Sequence, residues 1–214
     1  MRKAFEIGGF VAAAILIVFG IATIVMGVNG RNTVNTSLTN QYIVGTPDMT
    51  PAAIKAEAKA AGPKVYAAVK DWPTQSIAGK AINTGPLARE FAKYMNVHSL
   101  EASGGLTYAQ MPRYATADGK GTNDPTKAVQ KAGQPVDNAA RDVWVTETAL
   151  TSALNMSYMA SQLGLFAIVV GVALLLTGIG FAILAVGGTL ADAEPALQLF
   201  GKRTPKTAGP IPVA

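Results

Sequence analysis

Cysteine is absent from this chain of 214 residues, and histidine occurs only once, as His98. Without cysteine the protein has no disulfide, no thiolate metal site, no covalently attached haem and no cysteine nucleophile. A single imidazole also excludes the usual zinc sites, which combine several histidines or cysteines. His98 lies in the apolar stripe of a predicted helix, so we interpret it as a packed or surface residue. We predict no cofactor, no metal and no catalytic residue.

Other motifs with known chemistry are missing too. Asp118, Asn123 and Asp124 lie in a glycine-rich turn and offer oxygens of the kind that Ca²⁺ prefers. Their spacing does not fit an EF-hand loop, and Lys120 lies between them. The segment GKGT at residues 119–122 lacks the glycine spacing of a phosphate-binding loop, and no G-x-S-x-G motif occurs. An enzyme is therefore the least favoured class.

Charged residues are scarce, at 14% of the chain, while half of the residues are hydrophobic. The mean hydropathy of +0.28 is typical of an integral membrane protein with one modest soluble part. The longest stretch without a charge, residues 148–191, has 44 residues. A bilayer core about 30 Å thick needs only about 20 helical residues. We predict the second transmembrane helix over its most apolar part, residues 163–186.

A second uncharged run of 22 residues covers positions 7–28. It is longer than the apolar region of a cleaved signal peptide, which has about 7–15 residues, and no A-x-A-like cleavage site follows it. We therefore favour a retained first transmembrane helix over a cleaved signal peptide.

Basic residues near the ends of the two runs predict the orientation. Arg2 and Lys3 precede the first run and three basic residues between 202 and 206 follow the second, whereas Arg31 alone lies close on the other side. We therefore predict a cell-membrane protein with a cytoplasmic N-terminus (1–6), an extracytoplasmic part (29–162) and a cytoplasmic tail (187–214). The net charge of +5 follows from this topology. The extracytoplasmic basic residues are dispersed singly, so nucleic acid is not an expected partner.

Small residues recur on one face of both runs, at spacings of three, four or seven. Such a face lets another helix backbone approach closely, which is how helices associate in lipid. Two antiparallel helices with matching small faces predict a tight hairpin, although an Ala/Gly-rich chain also scatters small residues by composition. The predicted helix-packing residues are Gly9, Ala13, Gly20 and Gly27 in the first helix, and Ala160, Gly164, Ala167, Gly171 and Gly178 in the second.

Between the two helices we predict a helical stalk that carries a small, mostly helical head. Residues 29–42 can continue the first helix outward, unless Asn29 and Gly30 break it, and a helix from Pro135 or Asp137 can run into the second. In the head, residues 43–136, helices are predicted from Pro51 to Gly62, from Pro63 to Pro73 and over 84–100. The third has an apolar stripe of Leu87, Phe91, Tyr94, Met95 and His98. Residues 101–135 are either a β-hairpin or a long surface loop.

A resemblance adds to this reading. A first span ending in MGVNGR, the segment QYIVGTPDMTPAAIKAEA at residues 41–58 and a second span after a helical head resemble uncharacterised two-pass membrane proteins of actinobacteria. The resemblance covers mainly residues 1–62 and the second span. Some of those proteins carry automatic labels as aromatic-ring-opening dioxygenases. This chain does not support that label, because such iron sites need a cluster of histidine and carboxylate ligands and only His98 is present.

The fold class that we predict is a mainly α membrane protein with two antiparallel transmembrane helices. Neither span contains an ionisable residue, so transport by a monomer is not expected. We predict a non-catalytic structural, scaffolding or accessory subunit of a membrane or envelope complex, whose partners are the lipid bilayer and either another protein or further copies of itself. The alternative is a sensory or small-molecule-binding module with its ligand between the 84–100 helix and the 101–135 loop.

Overall fold

The computed structural model describes residues 2–187, with side chains from Phe5 onward. It is mainly helical, as predicted, and the helices are α1 (Arg2–Thr39), α2 (Pro51–Ala61), α3 (Pro63–Ala68), α4 (Gly85–Ala102) and α5 (Ala139–Val186). Helices α1 and α5 are each long and apolar enough to span a membrane. Beyond Gly187, the predicted cytoplasmic tail lies outside the described residues.

The chain divides into two compact units. Unit 1 comprises residues 1–26 and 167–214, so its described part is the first two thirds of α1 and the last part of α5. Unit 2 comprises residues 27–166 and holds the end of α1, the whole of the head and the first part of α5.

Helix α1 passes through Asn29 and Gly30 without interruption and ends at Thr39, so the break considered at these two residues does not occur. Helix α5 begins after Asn138, whose side-chain oxygen accepts a hydrogen bond from the Ala140 N–H at 3.1 Å. This is an N-cap interaction, which satisfies one of the free N–H groups at a helix start. The helix therefore starts slightly later than the predicted Pro135 or Asp137.

The first two head helices follow from their capping residues. The Thr50 hydroxyl accepts a hydrogen bond from the Ala53 N–H at 3.2 Å, and Pro51 occupies the first helical position of α2. Gly62 has φ +122°, a conformation that favours glycine, and separates α2 from α3. Helix α3 is shorter than predicted because Val69 turns into an extended conformation, in which its side chain is buried.

Two extended segments, around residues 43–49 and 77–82, pair by backbone hydrogen bonds. The Gly45 N–H donates to the Lys80 carbonyl at 3.0 Å, and the Gly79 N–H donates to the Gly45 carbonyl at 2.8 Å. Only glycine fits at position 45, because a Cβ there would lie 2.1 Å from the Ile77 carbonyl oxygen. The sequence analysis did not predict this pairing.

The hydrophobic core of unit 2 centres on Ile54 of α2, Ile77, and Tyr94 of α4, none of which has any exposed surface. Leu38 of α1 and Leu154 of α5 are also buried in this core. Both residues belong to segments predicted as a stalk that carries the head. Both long helices extend beyond their apolar runs, as predicted for the stalk, and these extensions also form part of the core of the head.

Helix α4 is buried over more of its surface than its large apolar residues predict. Its buried side includes Ala88, Phe91, Tyr94 and Val97, whereas Leu87, Met95 and His98 of the predicted stripe are only half-buried. Small alanines allow close packing against neighbouring backbone, and a pattern drawn from large residues does not register them. His98 therefore lies at the edge of the core.

Residues 103–138 form mostly irregular structure with one small hairpin. Strands β1 (Gln130–Lys131) and β2 (Gln134–Pro135) pair antiparallel, and the turn residues Ala132 and Gly133 have φ +51° and +76°. Two consecutive positive φ angles are typical of a tight hairpin turn. Of the two predicted alternatives, residues 101–135 thus form mainly a surface loop. Its C-terminal end carries a small hairpin whose strands have two residues each.

Candidate functional site

The predicted helix-packing residues of unit 1 bring the backbones of α1 and α5 into direct contact. A Cβ added to Gly171 would lie 2.7 Å from the Gly20 carbonyl oxygen, and a Cβ on Gly20 would lie 2.7 Å from the backbone nitrogen of Leu175. At Gly178 an added Cβ would lie 3.0 Å from the carbonyl oxygen of Ala13. No larger residue fits at these positions without separating the two helices.

Unit 2 contains a similar contact between α1 and α5. A Cβ added to Gly164 would lie 2.9 Å from the Gly27 carbonyl oxygen and 2.7 Å from Cγ of Arg31. Ala160, one turn earlier, is exposed, and Ser161 is buried in its place. A packing role for Ala160 is therefore not supported by its position.

The predicted helix-packing residues other than Ala160 differ in how deeply they are buried. Ala167 is half-buried. The other seven are buried within their units: Gly9, Ala13, Gly20, Gly27, Gly164, Gly171 and Gly178.

Three carboxylates surround His98 in the head, an arrangement that sequence reasoning missed. Its Nε2 lies 3.3 Å from Oδ2 of Asp48, in the turn before α2. Its Nδ1 lies 3.4 Å from Oε2 of Glu101, one turn further along α4, and 4.0 Å from Oε2 of Glu57 on α2. We call these four residues the His98 cluster. Only the His98–Glu101 spacing of three residues on one helix was visible in the sequence.

Glu90 of α4 anchors the loop that follows α3. It is 7% exposed, and its carboxylate accepts hydrogen bonds from the Thr74 N–H at 2.9 Å, the Gln75 N–H at 3.3 Å and the Lys93 ammonium at 3.1 Å. Burial would raise the pKa of Glu90, but these hydrogen bonds outweigh it and lower the pKa below its usual value. Glu90 is therefore an ionised structural group.

Glu147 of α5 is buried with few partners. It is 5% exposed. Its carboxylate accepts a hydrogen bond from Asn96 Nδ2 at 3.5 Å. Burial raises the pKa of Glu147, and hydrogen bonds only partly offset that effect. It lies between a polar cavity of about 280 Å³ beside Lys93 and an apolar cavity of about 380 Å³ between α4 and α5.

The two aspartates considered for Ca²⁺ bind within their own turns. Asp118 accepts from the Thr116 hydroxyl and pairs with Lys120 at 3.7 Å. Asp124 accepts from the Thr126 N–H at 2.9 Å and pairs with Lys127 at 3.6 Å. Because each carboxylate already has donors of its own, this turn does not resemble a cation site.

No protein-family model, curated protein or solved structure matches the chain. Its function therefore has to be inferred from its own residues and geometry. The resemblance to actinobacterial two-pass membrane proteins stays a prediction.

Replacing Gly171 by leucine should separate α1 from α5 in unit 1, because the side chain would enter the space of the Gly20 backbone. We expect a loss of about 1–3 kcal/mol in the free energy of unfolding, as for overpacked cores. Thermal unfolding in mild detergent measures the change. Gly180→Leu is the matched control, since nothing lies within 4 Å of a Cβ at Gly180. Equal effects of the two substitutions would contradict the contact.

Replacing Glu90 by glutamine should destabilise the protein by about 1.5–3 kcal/mol near neutral pH, because charge-assisted hydrogen bonds are lost. The lowered pKa means that the ionised carboxylate stabilises the fold above its ordinary pKa of 4.5, and that this contribution is lost as the pH falls below it. The difference from the wild type should therefore shrink in acid, as measured by denaturant unfolding between about pH 3 and 7. The exposed Asp137, changed to asparagine, is the control. A difference independent of pH would refute the role of ionised Glu90.

Proposed function

We propose that α1 and α5 cross a lipid bilayer, with both termini in the cytoplasm and residues 29–162 outside. The most apolar window of each helix is only 17% or 11% buried, which is unlike the core helix of a soluble protein. Lipid would cover these exposed apolar surfaces. Arg2 and Lys3 at the start of α1, and the basic residues between 202 and 206, support this orientation.

Within the bilayer the two helices form an antiparallel hairpin. Lipid provides no hydrophobic drive between apolar helices, so their association depends on close packing. The glycine contacts of unit 1 support this arrangement: Gly20 lies against Gly171, and the earlier Ala13 lies against the later Gly178. This order is the one expected for antiparallel helices.

The protein acts as a non-catalytic structural, scaffolding or accessory subunit of a membrane or envelope complex. One observation carries this proposal, an apolar strip along the outward face of α5 in unit 2. Met156 is 70% exposed and Met159 is 71% exposed, outside the predicted span. The strip repeats at spacings of four and three, which is the pattern of a helix that packs against another helix. Its residues are Val145, Ala149, Ser152, Met156 and Met159, all of them exposed.

This strip lies on the side of α5 away from the core. The buried residues Glu147, Leu154 and Ser161 recur every seven positions on the opposite face. Methionine side chains are flexible and suit surfaces that bind partners. A helix of another membrane protein, or of a second copy of this chain, fits a strip of this shape.

The proposed topology can be tested with introduced cysteines, because the chain contains none of its own. Single cysteines placed at Gln41 and Gln110 should react in intact cells with a membrane-impermeant maleimide. A cysteine at Thr207 should react only after the membrane is opened. Labelling of Thr207→Cys in intact cells would overturn the orientation.

The strip predicts a partner that mild detergent preserves. A tagged copy extracted from its native membrane should migrate by native mass as a complex, with a stoichiometric companion or further copies of itself. Met156→Glu should reduce that complex at least about tenfold, because a buried unpaired charge costs more than 1.4 kcal/mol. Gln162→Glu adds the same charge on a neighbouring exposed position beside the strip and should leave the complex intact.

A monomer without companions would contradict the subunit role. That result would favour the second candidate, a sensory or small-molecule-binding module. The apolar cavity of about 380 Å³ between α4 and α5 supports it, although this cavity lies away from the 101–135 loop where the ligand was expected. A ligand-dependent rise in melting temperature of the full chain would identify this function.

A further inference from the structure

We propose that the His98 cluster binds one divalent cation of the Zn²⁺ or Mn²⁺ type, with Asp48, Glu57 and His98 as ligands and Glu101 beside them. The ligand atoms of the first three residues all lie within 4.8 Å of one another. One imidazole nitrogen with carboxylate oxygens suits Zn²⁺ and Mn²⁺, whereas Ca²⁺ and Mg²⁺ prefer oxygen alone. This site goes beyond a subunit role and does not depend on it.

One distance already matches that between neighbouring ligands of a metal ion. Metal–nitrogen and metal–oxygen bonds of about 2.0–2.2 Å, at angles between 90° and 110°, place two ligand atoms about 3.0–3.5 Å apart. Nε2 of His98 lies 3.3 Å from Oδ2 of Asp48, so these two atoms can bind the same ion. The Glu57 carboxylate, within 4.8 Å of the other two ligand atoms, has to move closer by side-chain rotation to complete the site. Glu101 faces the other ring nitrogen, Nδ1, and therefore lies beside the ion and not among its ligands.

The two nitrogens of His98 both face carboxylate oxygens: Nε2 faces Asp48 and Nδ1 faces Glu101. A metal ion binds imidazole through the lone pair of one ring nitrogen and binds carboxylates through their oxygens. The cluster therefore places the donor atoms of a mixed nitrogen and oxygen site side by side.

The charges around His98 are not balanced by arginine or lysine. Among the described residues, neither Asp48, Glu57 nor Glu101 forms an ion pair with a basic side chain other than His98. The lysines that flank Glu57 on α2 point elsewhere. The ammonium of Lys55 lies 5.8 Å from the ring centre of Trp72, and that of Lys59 lies 5.5 Å from the ring centre of Tyr66.

Glu101 adds two further observations. It lies at the C-terminal end of α4, where the helix dipole disfavours a carboxylate and favours a cation, and the last turn holds no basic residue. Its Oε1 atom is buried and has no hydrogen-bond partner among residues 2–187. A buried carboxylate oxygen without a donor costs free energy, which a nearby cation offsets.

A metal here would connect three separate segments: the turn at Asp48, helix α2 through Glu57 and the end of α4 through His98. Ligands from distant segments bind an ion well only in the folded state, so the ion stabilises that state. The site would thus order the face of the head formed by these segments.

The test uses the full chain in detergent, purified with a tag that contains no histidine and stripped with EDTA. Equilibrium dialysis with metal analysis should find one Zn²⁺ or Mn²⁺ per chain, with Zn²⁺ the tighter and Ca²⁺ much weaker. At a Zn²⁺ concentration about 100 times the Kd, the melting temperature should rise by roughly 5–10 °C. Co²⁺ should give visible absorption bands from a nitrogen-containing site.

Two variants remove one ligand each. Glu57→Gln and His98→Gln should each weaken Zn²⁺ binding at least about 100-fold. Loss of a residue that only supports a metal ligand costs up to about 100-fold in affinity, and loss of a ligand itself should cost at least as much. Asp48→Asn is a further variant if either of these fails to fold. The control is the double variant Asp118→Asn, Asp124→Asn, which removes two exposed carboxylates of another turn and should bind Zn²⁺ normally.

Several results would overturn the site. One is no binding by the wild type. Others are Zn²⁺ binding unchanged in His98→Gln, or Ca²⁺ bound as tightly as Zn²⁺. Loss of binding only in the Asp118, Asp124 control would equally refute it.

Discussion

The close approach of α1 and α5 is the contact on which the rest of this structure depends. In unit 1 the backbones meet at Gly20 and Gly171, and in unit 2 they meet at Gly27 and Gly164. Dispersion contacts between closely approaching backbones help to hold such helices together. In the sequence the head follows α1 and precedes α5. Its core accordingly includes Leu38 of α1 and Leu154 of α5.

The charged residues of the head are of two kinds: those that accept hydrogen bonds from nearby donors and those that lack such donors. Glu90 receives three N–H donors and Asp118 and Asp124 receive donors from their own turns, so these groups hold loops in place. The carboxylates around His98 lack such donors and lack basic partners within the described chain. Unsatisfied polar groups inside an otherwise consistent fold are where a ligand is to be sought. The exposed methionines of α5 likewise lack a partner within the described chain, although they are apolar.

Much of the architecture was predictable from the sequence because it rests on local signals. Long uncharged runs predict α1 and α5, and Thr50, Pro51 and Gly62 mark the ends of α2 through capping and backbone freedom. Small residues at helical spacing predicted which face of each long helix packs, although Ala160 proved exposed. The face of α4 was predicted less well, since the buried alanines Ala88 and Ala92 do not stand out in a pattern of large apolar residues.

The sequence by itself determined the helical class, the two long apolar helices and the glycine positions where they meet. Period and composition are properties of neighbouring residues, which the chain order already contains. Only the tertiary structure decided that the stalk segments join the core and that Asp48 and Glu57 lie beside His98. These residues are separated by 9 to 50 positions in the chain. Their meeting depends on how α2 and α4 pack, and no local pattern encodes that packing.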